Sequence, residues 1–297
     1  MNVVALIAAT LVTATPLLYA TIGEIITERS GILNLGIEGT MYAGAFGGFI
    51  VTANTGSPLL GLLAAVVTGM LAGGLMGLLT VTLGVNQHVA GIGTTLLLIG
   101  ASEFSNRLLF GGGSLTQTAK FALLFTGVPV LEMYLLTMLG LAVVAPLAWW
   151  LLRSTGLGLR LRAVGENPEA ADAAGISVER TRYVALVIGG ALMAVGGAFL
   201  TLAVLGTFTL NITNGRGWVA IALVIFARWR IWPAVASALL FAVVDAAQLQ
   251  LAITPTFAHV PRELMIALPY LAVIIALAVA GRGLRYPGAY LKPYRRT

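Results

Sequence analysis

The chain has no cysteine, which excludes disulfides and thiolate metal sites. Imidazole is almost as scarce. Only His88 and His259 offer it, and no carboxylate cluster in the sequence accompanies them, so no metal centre is expected. Above all the chain lacks charge, with 9% charged against 59% hydrophobic residues in 297 and a mean hydropathy of +0.96. A soluble domain carries about 25% charged residues. Short alternating segments are also missing, which disfavours a membrane β-barrel. The apolar run from Met1 to Ile22 has no basic segment after the initiator and reads as a first spanning helix, not a cleaved signal. No strand precedes Gly91-Ile92-Gly93 and no Lys-Ser/Thr pair follows Gly111 to Gly113, so neither is a nucleotide fingerprint. A nucleophile–base pair or a carboxylate pair at useful spacing is absent as well, which argues against an enzyme. The net charge of +6 sits in loops and tail, where it sets membrane orientation instead of binding nucleic acid.

What remains is an all-α polytopic transmembrane bundle, read as one domain over 1–297 and in contact with lipid. Its longest polar interruption is 153–182, which holds Arg153, Arg160, Arg162, Arg180 and Arg182. A short helix is bounded clearly inside it. Asn167 can cap it, and Pro168 fits the first helical position. Glu169 and Asp172 favour its positive end. Ala170, Ala171, Ala173 and Ala174 are strong helix formers, and Gly175 can supply the left-handed stop. Such a smooth projecting helix suits a groove on a partner protein. Bulk or charge at Ala171 or Gly175 is expected to break that docking.

Basic groups recur at 153–182, 228–230 and 282–296. Placing all three in the cytoplasm gives nine crossings, or eight to ten counting half helices, with the N-terminus outside and the C-terminus inside. Pro16 is an expected kink in the first span. Residues 23–39 are too apolar for a solvated loop and too rich in glycine and charge for a spanning helix. Irregular backbone buried in protein is expected there. The Asn86-Gln87-His88 triplet before a glycine-rich segment points to a second broken or half helix over 89–103, followed by a mixed loop over 103–130. Gly69, Gly73 and Gly77, like Gly44 and Gly48, form smooth faces for close helix packing. Gly36-Ile37-Glu38-Gly39 before an apolar run resembles Asn214-Gly215-Arg216-Gly217 before another, which suggests an inverted repeat with a transport site between its halves.

Intramembrane charge is costly, so Glu38 and Arg216 either gate a polar pathway or serve as an ion pair or helix-end anchors. Asn34, Asn86, Gln87, Asn211 and Asn214 can bond a solute or satisfy unwound backbone. His88 fits a packed polar residue. Asp245 and Gln248 share a helix face and suit inter-helix contacts.

Four stretches in order, ERSGILNLGIEG (28–39), NQHVAGIGTTLL (86–97), LRAVGENPEAADAAGISV (161–178) and GRGWVAIALVIFARW (215–229), resemble the permeases of ribose- and nucleoside-type ABC importers. Glu169-Ala170-Ala171-xxx-Gly175 is similar to the EAA-xxx-G loop of those permeases. The resemblance implies a coupling helix that docks on an ATP-binding cassette subunit. It also implies a second permease, an extracytoplasmic substrate-binding protein and a bacterial inner-membrane location. On this reading ATP and Mg²⁺ are bound by the partner, and this chain holds no cofactor. The alternative is an ion-driven secondary transporter, with Asp245 and Glu38 as coupling groups. A channel fits less well, because no filter motif repeats.

Overall fold

The computed structural model describes residues 3–111, 116–124, 133–252, 261–280, 286–292 and 294. Gly112, Gly113, His259, Arg282, Arg285, Arg295 and Arg296 lie outside the described residues. Twelve helices lie among those described: α1 (Val3–Glu28), α2 (Ile37–Thr55), α3 (Pro58–Gly77), α4 (Gln87–Phe110), α5 (Leu135–Leu139), α6 (Ala145–Ser154), α7 (Gly156–Glu166), α8 (Pro168–Ala173), α9 (Val178–Phe199), α10 (Arg216–Phe226), α11 (Ile231–Ala252) and α12 (Arg262–Ala280). A two-residue antiparallel pairing of Leu123–Leu124 with Met133–Tyr134 precedes α5.

Among the described residues, five segments are long and apolar enough to cross a bilayer: Val4–Glu28, Pro58–Thr82, Leu135–Ser154, Val178–Leu205 and Ile231–Leu251. The second and fourth end in π-helical turns, and one at Gly140–Val144 joins α5 to α6. The other four expected crossings fall on α2, α4, α10 and α12, which are shorter or carry charge. Pro16 lies inside α1.

The bundle is built around α9, which packs most extensively on α3, then on α1 and α2. Small residues allow that approach. A Cβ on Gly69 would strike the carbonyl oxygen of Gly190, and one on Gly73 that of Leu186. A Cβ on Gly44 would lie 2.5 Å from Ala194 Cα. In lipid, backbone proximity of this kind substitutes for the hydrophobic drive that water supplies elsewhere.

Two expectations about broken segments change. Residues 23–28 continue α1, and the irregular buried stretch is 29–36. Its helical end holds two wholly buried carboxyl groups, Glu24 with a donor on each oxygen and Glu28 with one on Oε2. Glu24 accepts from Asn34 N (2.9 Å) and Thr27 Oγ1 (3.1 Å), and Glu28 accepts from Trp229 Nε1. The Asn86 triplet starts a helix and does not break one. Asn86 Oδ1 accepts from His88 N and Val89 N, and α4 then runs for 24 residues to a left-handed Gly111 (φ 67°). The expected loop therefore begins after Phe110. By contrast α10 is short, at 11 residues or roughly 16 Å, about half of a hydrocarbon core. The half-helix reading fits it.

Candidate functional site

The two interrupted segments meet on one carboxylate. Glu38 lies in the first turn of α2 and is 5% exposed. It accepts from Thr213 Oγ1 (2.6 Å), Gly215 N (2.9 Å) and Gly217 N (2.6 Å). Those amides open α10, so Glu38 supplies an anion at the positive end of a helix whose own cap residue, Gly215, has no side chain. Gly217 is needed because a Cβ there would fall 2.7 Å from Glu38 Cα. Of the two structural roles weighed for Glu38, helix-end anchor is the one the geometry draws. Arg216 donates to Thr213 O (3.2 Å).

Around this joint lie most of the residues expected there. Asn211 and Asn214 both adopt positive φ, at 57° and 46°, and Asn211 Nδ2 donates to Asn214 Oδ1 (3.1 Å). Both are exposed. Asp245, half-buried on α11, is close enough to interact electrostatically with Arg216. Tyr270 of α12, which gave no sequence signal, donates to Asn214 O (3.2 Å). Thr213, also unpredicted, was within reach of sequence reasoning because it immediately precedes the singled-out Asn214-Gly215-Arg216-Gly217 run.

Asn34, Asn86, Gln87 and His88 form a separate group. Asn34 Oδ1 accepts from Gly36 N (3.0 Å) and Gln87 Oε1 accepts from Leu33 N (2.8 Å), so both serve the unwound 29–36 backbone. With His88, which is exposed, Asn86 and Gln87 line a cavity of about 260 Å³ that Leu291 also borders.

The 153–182 stretch carries α8 where expected. Asn167 Oδ1 accepts from Ala170 N (3.0 Å), and Gly175 has φ 82°. The faces of α8 differ. Ala171 is 4% exposed and packs with Val164 and Val178. Pro168 and Asp172 are half-buried, while Glu169, Ala170, Ala173, Ala174 and Gly175 are exposed. Ala171 thus supports the helix from below, and Ala170, Ala173 and Ala174 form its smooth outer surface. The preceding α7 was not expected; Thr155 caps it by accepting from Gly158 N (3.1 Å).

The tail also reaches this end. Ala289 N donates to Gly165 O (2.8 Å), and Tyr294 packs against the Ala171 cluster. Tyr286 and Tyr290 lie 5.0 and 6.1 Å, centroid to centroid, from Trp229.

A multi-pass helical bundle interrupted at its centre, with a capped helix standing out of its arginine-rich end, belongs to the class of membrane permeases. The family described as the branched-chain amino acid transport system permease component matches residues 6–279, and the chain belongs to it. The putative glucose ABC transporter permease protein TsgC13 of Haloferax volcanii is 37% identical over 98% of this chain and 97% of its own. The guanosine ABC transporter permease protein NupQ of Bacillus subtilis is 32% identical over 92% and 90%. The glucose ABC transporter permease protein TsgB13, also of Haloferax volcanii, is 30% identical over 73% and 62%. No solved structure matches. The chain is therefore the permease subunit of an ABC importer, a transport subunit and not an enzyme, and in such systems a separate ATP-binding subunit hydrolyses ATP and a substrate-binding protein delivers the solute. The ion-driven alternative falls away with this membership.

Proposed function

We propose that this chain conducts an uncharged polar solute, a nucleoside or a simple sugar, past the joint between α2 and α10. The observation that carries this reading is charge cancellation at the joint. The Glu38 carboxylate is absorbed by the α10 N-terminus, Arg216 lies within electrostatic reach of Asp245, and the exposed groups left over are the amides of Asn211 and Asn214 and the Tyr270 hydroxyl. Amides and hydroxyls bond sugars and bases without favouring an ion. The relatives' names, glucose and guanosine, fit the same class. The outer face of α8 (Ala170, Ala173, Ala174, with Asn167, Pro168, Glu169, Asp172 and Gly175 shaping it) docks on the ATP-binding subunit, where ATP and Mg²⁺ reside. The arginine-rich end with the C-terminus is cytoplasmic, the membrane is the bacterial inner membrane, and the substrate-binding protein meets the opposite end. The second permease is a different chain, as the two matching glucose permease proteins of Haloferax volcanii suggest. The test is to purify the tagged chain gently from its native membrane, identify its companions, and measure uptake of labelled guanosine, glucose and a charged amino acid by the reconstituted complex. Nucleoside or sugar uptake with a Walker-type ATPase and a second, distinct permease present is the expected result. Uptake of the amino acid alone would overturn the solute class, and a homo-oligomer would overturn the pairing.

A further inference from the structure

Four guanidinium groups converge on one cavity at the arginine-rich end. Arg29 follows α1, Arg153 lies in the last turn of α6, Arg162 lies on α7 and Arg230 precedes α11; together they line about 230 Å³, and none of the lining residues is acidic. Neutral groups hold three of the arginines. Arg29 donates through Nε and Nη2 to the Trp229 carbonyl (3.1 and 2.9 Å). Arg162 Nε donates to Gly158 O (3.4 Å), and Arg153 lies 5.3 Å from the Trp149 ring centroid. Carbonyls and an indole face hold Arg29, Arg162 and Arg153, and the one carboxylate that acts on Arg29, Glu166, does not line the cavity. Burial pulls the Arg29 pKa down; Glu166 offsets part of this and Arg162 adds to it. The turn that carries the Trp229 carbonyl is strained, with Arg228 and Trp229 consecutively left-handed at φ 52° and 55°. The backbone thus bears a cost to keep this basic pocket in shape.

The cavity lies where the ends of two spanning segments, α6 and α11, come together with α1. Trp149 (37% exposed) and Trp232 (48%) border it, and such rings mark the edge of a bilayer. We propose that the cavity binds the phosphate of an anionic phospholipid from the leaflet at this end. Guanidinium forks match phosphate oxygens, and basic pockets between spanning helices take anionic headgroups. The lipid would brace α7, and through it α8, against α1 and α11.

To test this, the intact transporter is delipidated in detergent and titrated with phosphatidylglycerol, with phosphatidylcholine of the same acyl chains, and with inorganic phosphate, and bound molecules are counted by native mass spectrometry. Phosphatidylglycerol is expected to bind in preference to phosphatidylcholine. Arg153→Gln with Arg230→Gln, both exposed and free to change without disturbing the core, is expected to weaken it by about fivefold for each arginine removed. Arg153→Lys with Arg230→Lys keeps most of the preference, and Arg160→Gln, outside the cavity, leaves it unchanged. Equal phosphatidylglycerol binding by wild type and the double glutamine variant would overturn the site. Binding of inorganic phosphate that the double variant loses, with no lipid preference, would make it a soluble-anion site and overturn the lipid assignment. Loss of the ATP-binding subunit from the double variant with lipid binding unchanged would assign the cavity to an acidic polypeptide, which also defeats the proposal.

Discussion

Glu38 shows how one side chain can join two interrupted segments. Its two oxygens receive three donors, two of them backbone amides that no other group caps. Glu38→Gln keeps one acceptor oxygen but turns the other site into a donor facing donors. The expected cost is about 2–4 kcal/mol, since buried donors lose a charged acceptor, and uptake should fall with it. Thr213→Val removes one hydroxyl donor and is expected to cost about 1–2 kcal/mol. Thermal unfolding of the detergent-solubilised complex, with uptake measured on the same variants, checks both. Equal stability of Glu38→Gln and wild type would show that the joint is held by packing alone. The sequence pointed to Glu38 and Arg216 because charge inside an apolar chain stands out. It did not show that Glu38 binds amides, because every residue carries the same N–H and only the fold decides which ones are left bare at a helix start.

The elements divide by how much of their information is local. The limits of α8 were readable: Asn167, Pro168 and Gly175 act through their own backbone geometry, and all three take those roles. Its orientation was not readable, because alanine on every side gives the helix no apolar face to declare. The buried face is set by Val164 and Val178, on neighbouring helices. Two kinds of variant therefore separate. Ala171→Leu overpacks a closed contact and is expected to cost about 1–3 kcal/mol, with docking impaired only as a consequence. Ala170→Trp or Ala174→Arg on the exposed face is expected to leave the unfolding temperature unchanged while reducing recovery of the ATP-binding subunit in co-purification. Normal recovery with both outer-face variants would remove α8 from the docking surface. The α4 expectation failed for a related reason. A polar triplet reads the same whether it breaks a helix or caps one, and the distinction lies in Asn86 pointing back at the amides of His88 and Val89.

At the scale of the whole molecule, the arginine-rich end is closed by residues far apart in sequence. The tail residues Tyr286 and Tyr290 pack edge-on against Trp229, whose indole holds Glu28 of α1 and whose carbonyl holds Arg29. Burial, then the nearby Glu28 charge, pushes the Tyr290 hydroxyl well above its ordinary pKa. Further along, Arg182, 2% exposed, donates weakly to Lys292 O (3.5 Å), and Tyr294 lies on the Ala171 cluster under α8. One strand of tail therefore ties the 227–230 turn, α1, α7 and the base of α8 together. The sequence reading credited this segment only with orienting charge. Its tyrosines at 286, 290 and 294 recur every fourth residue, a pattern that signals one docked face but carries weight only once a partner surface is known. Ending the chain after residue 285 should leave the spanning segments inserted, since none of the five long apolar segments includes the tail. It should expose Trp229 and loosen α7 and α8. The expected outcome is faster amide exchange confined to 156–177 and 227–230, and several-fold less solute moved per ATP hydrolysed by the reconstituted complex. Unchanged exchange in α7 and α8 would mean that the tail only lies against the surface. Faster exchange with undiminished uptake would mean that the ATP-binding subunit, once docked, holds α8 in place without the tail's support.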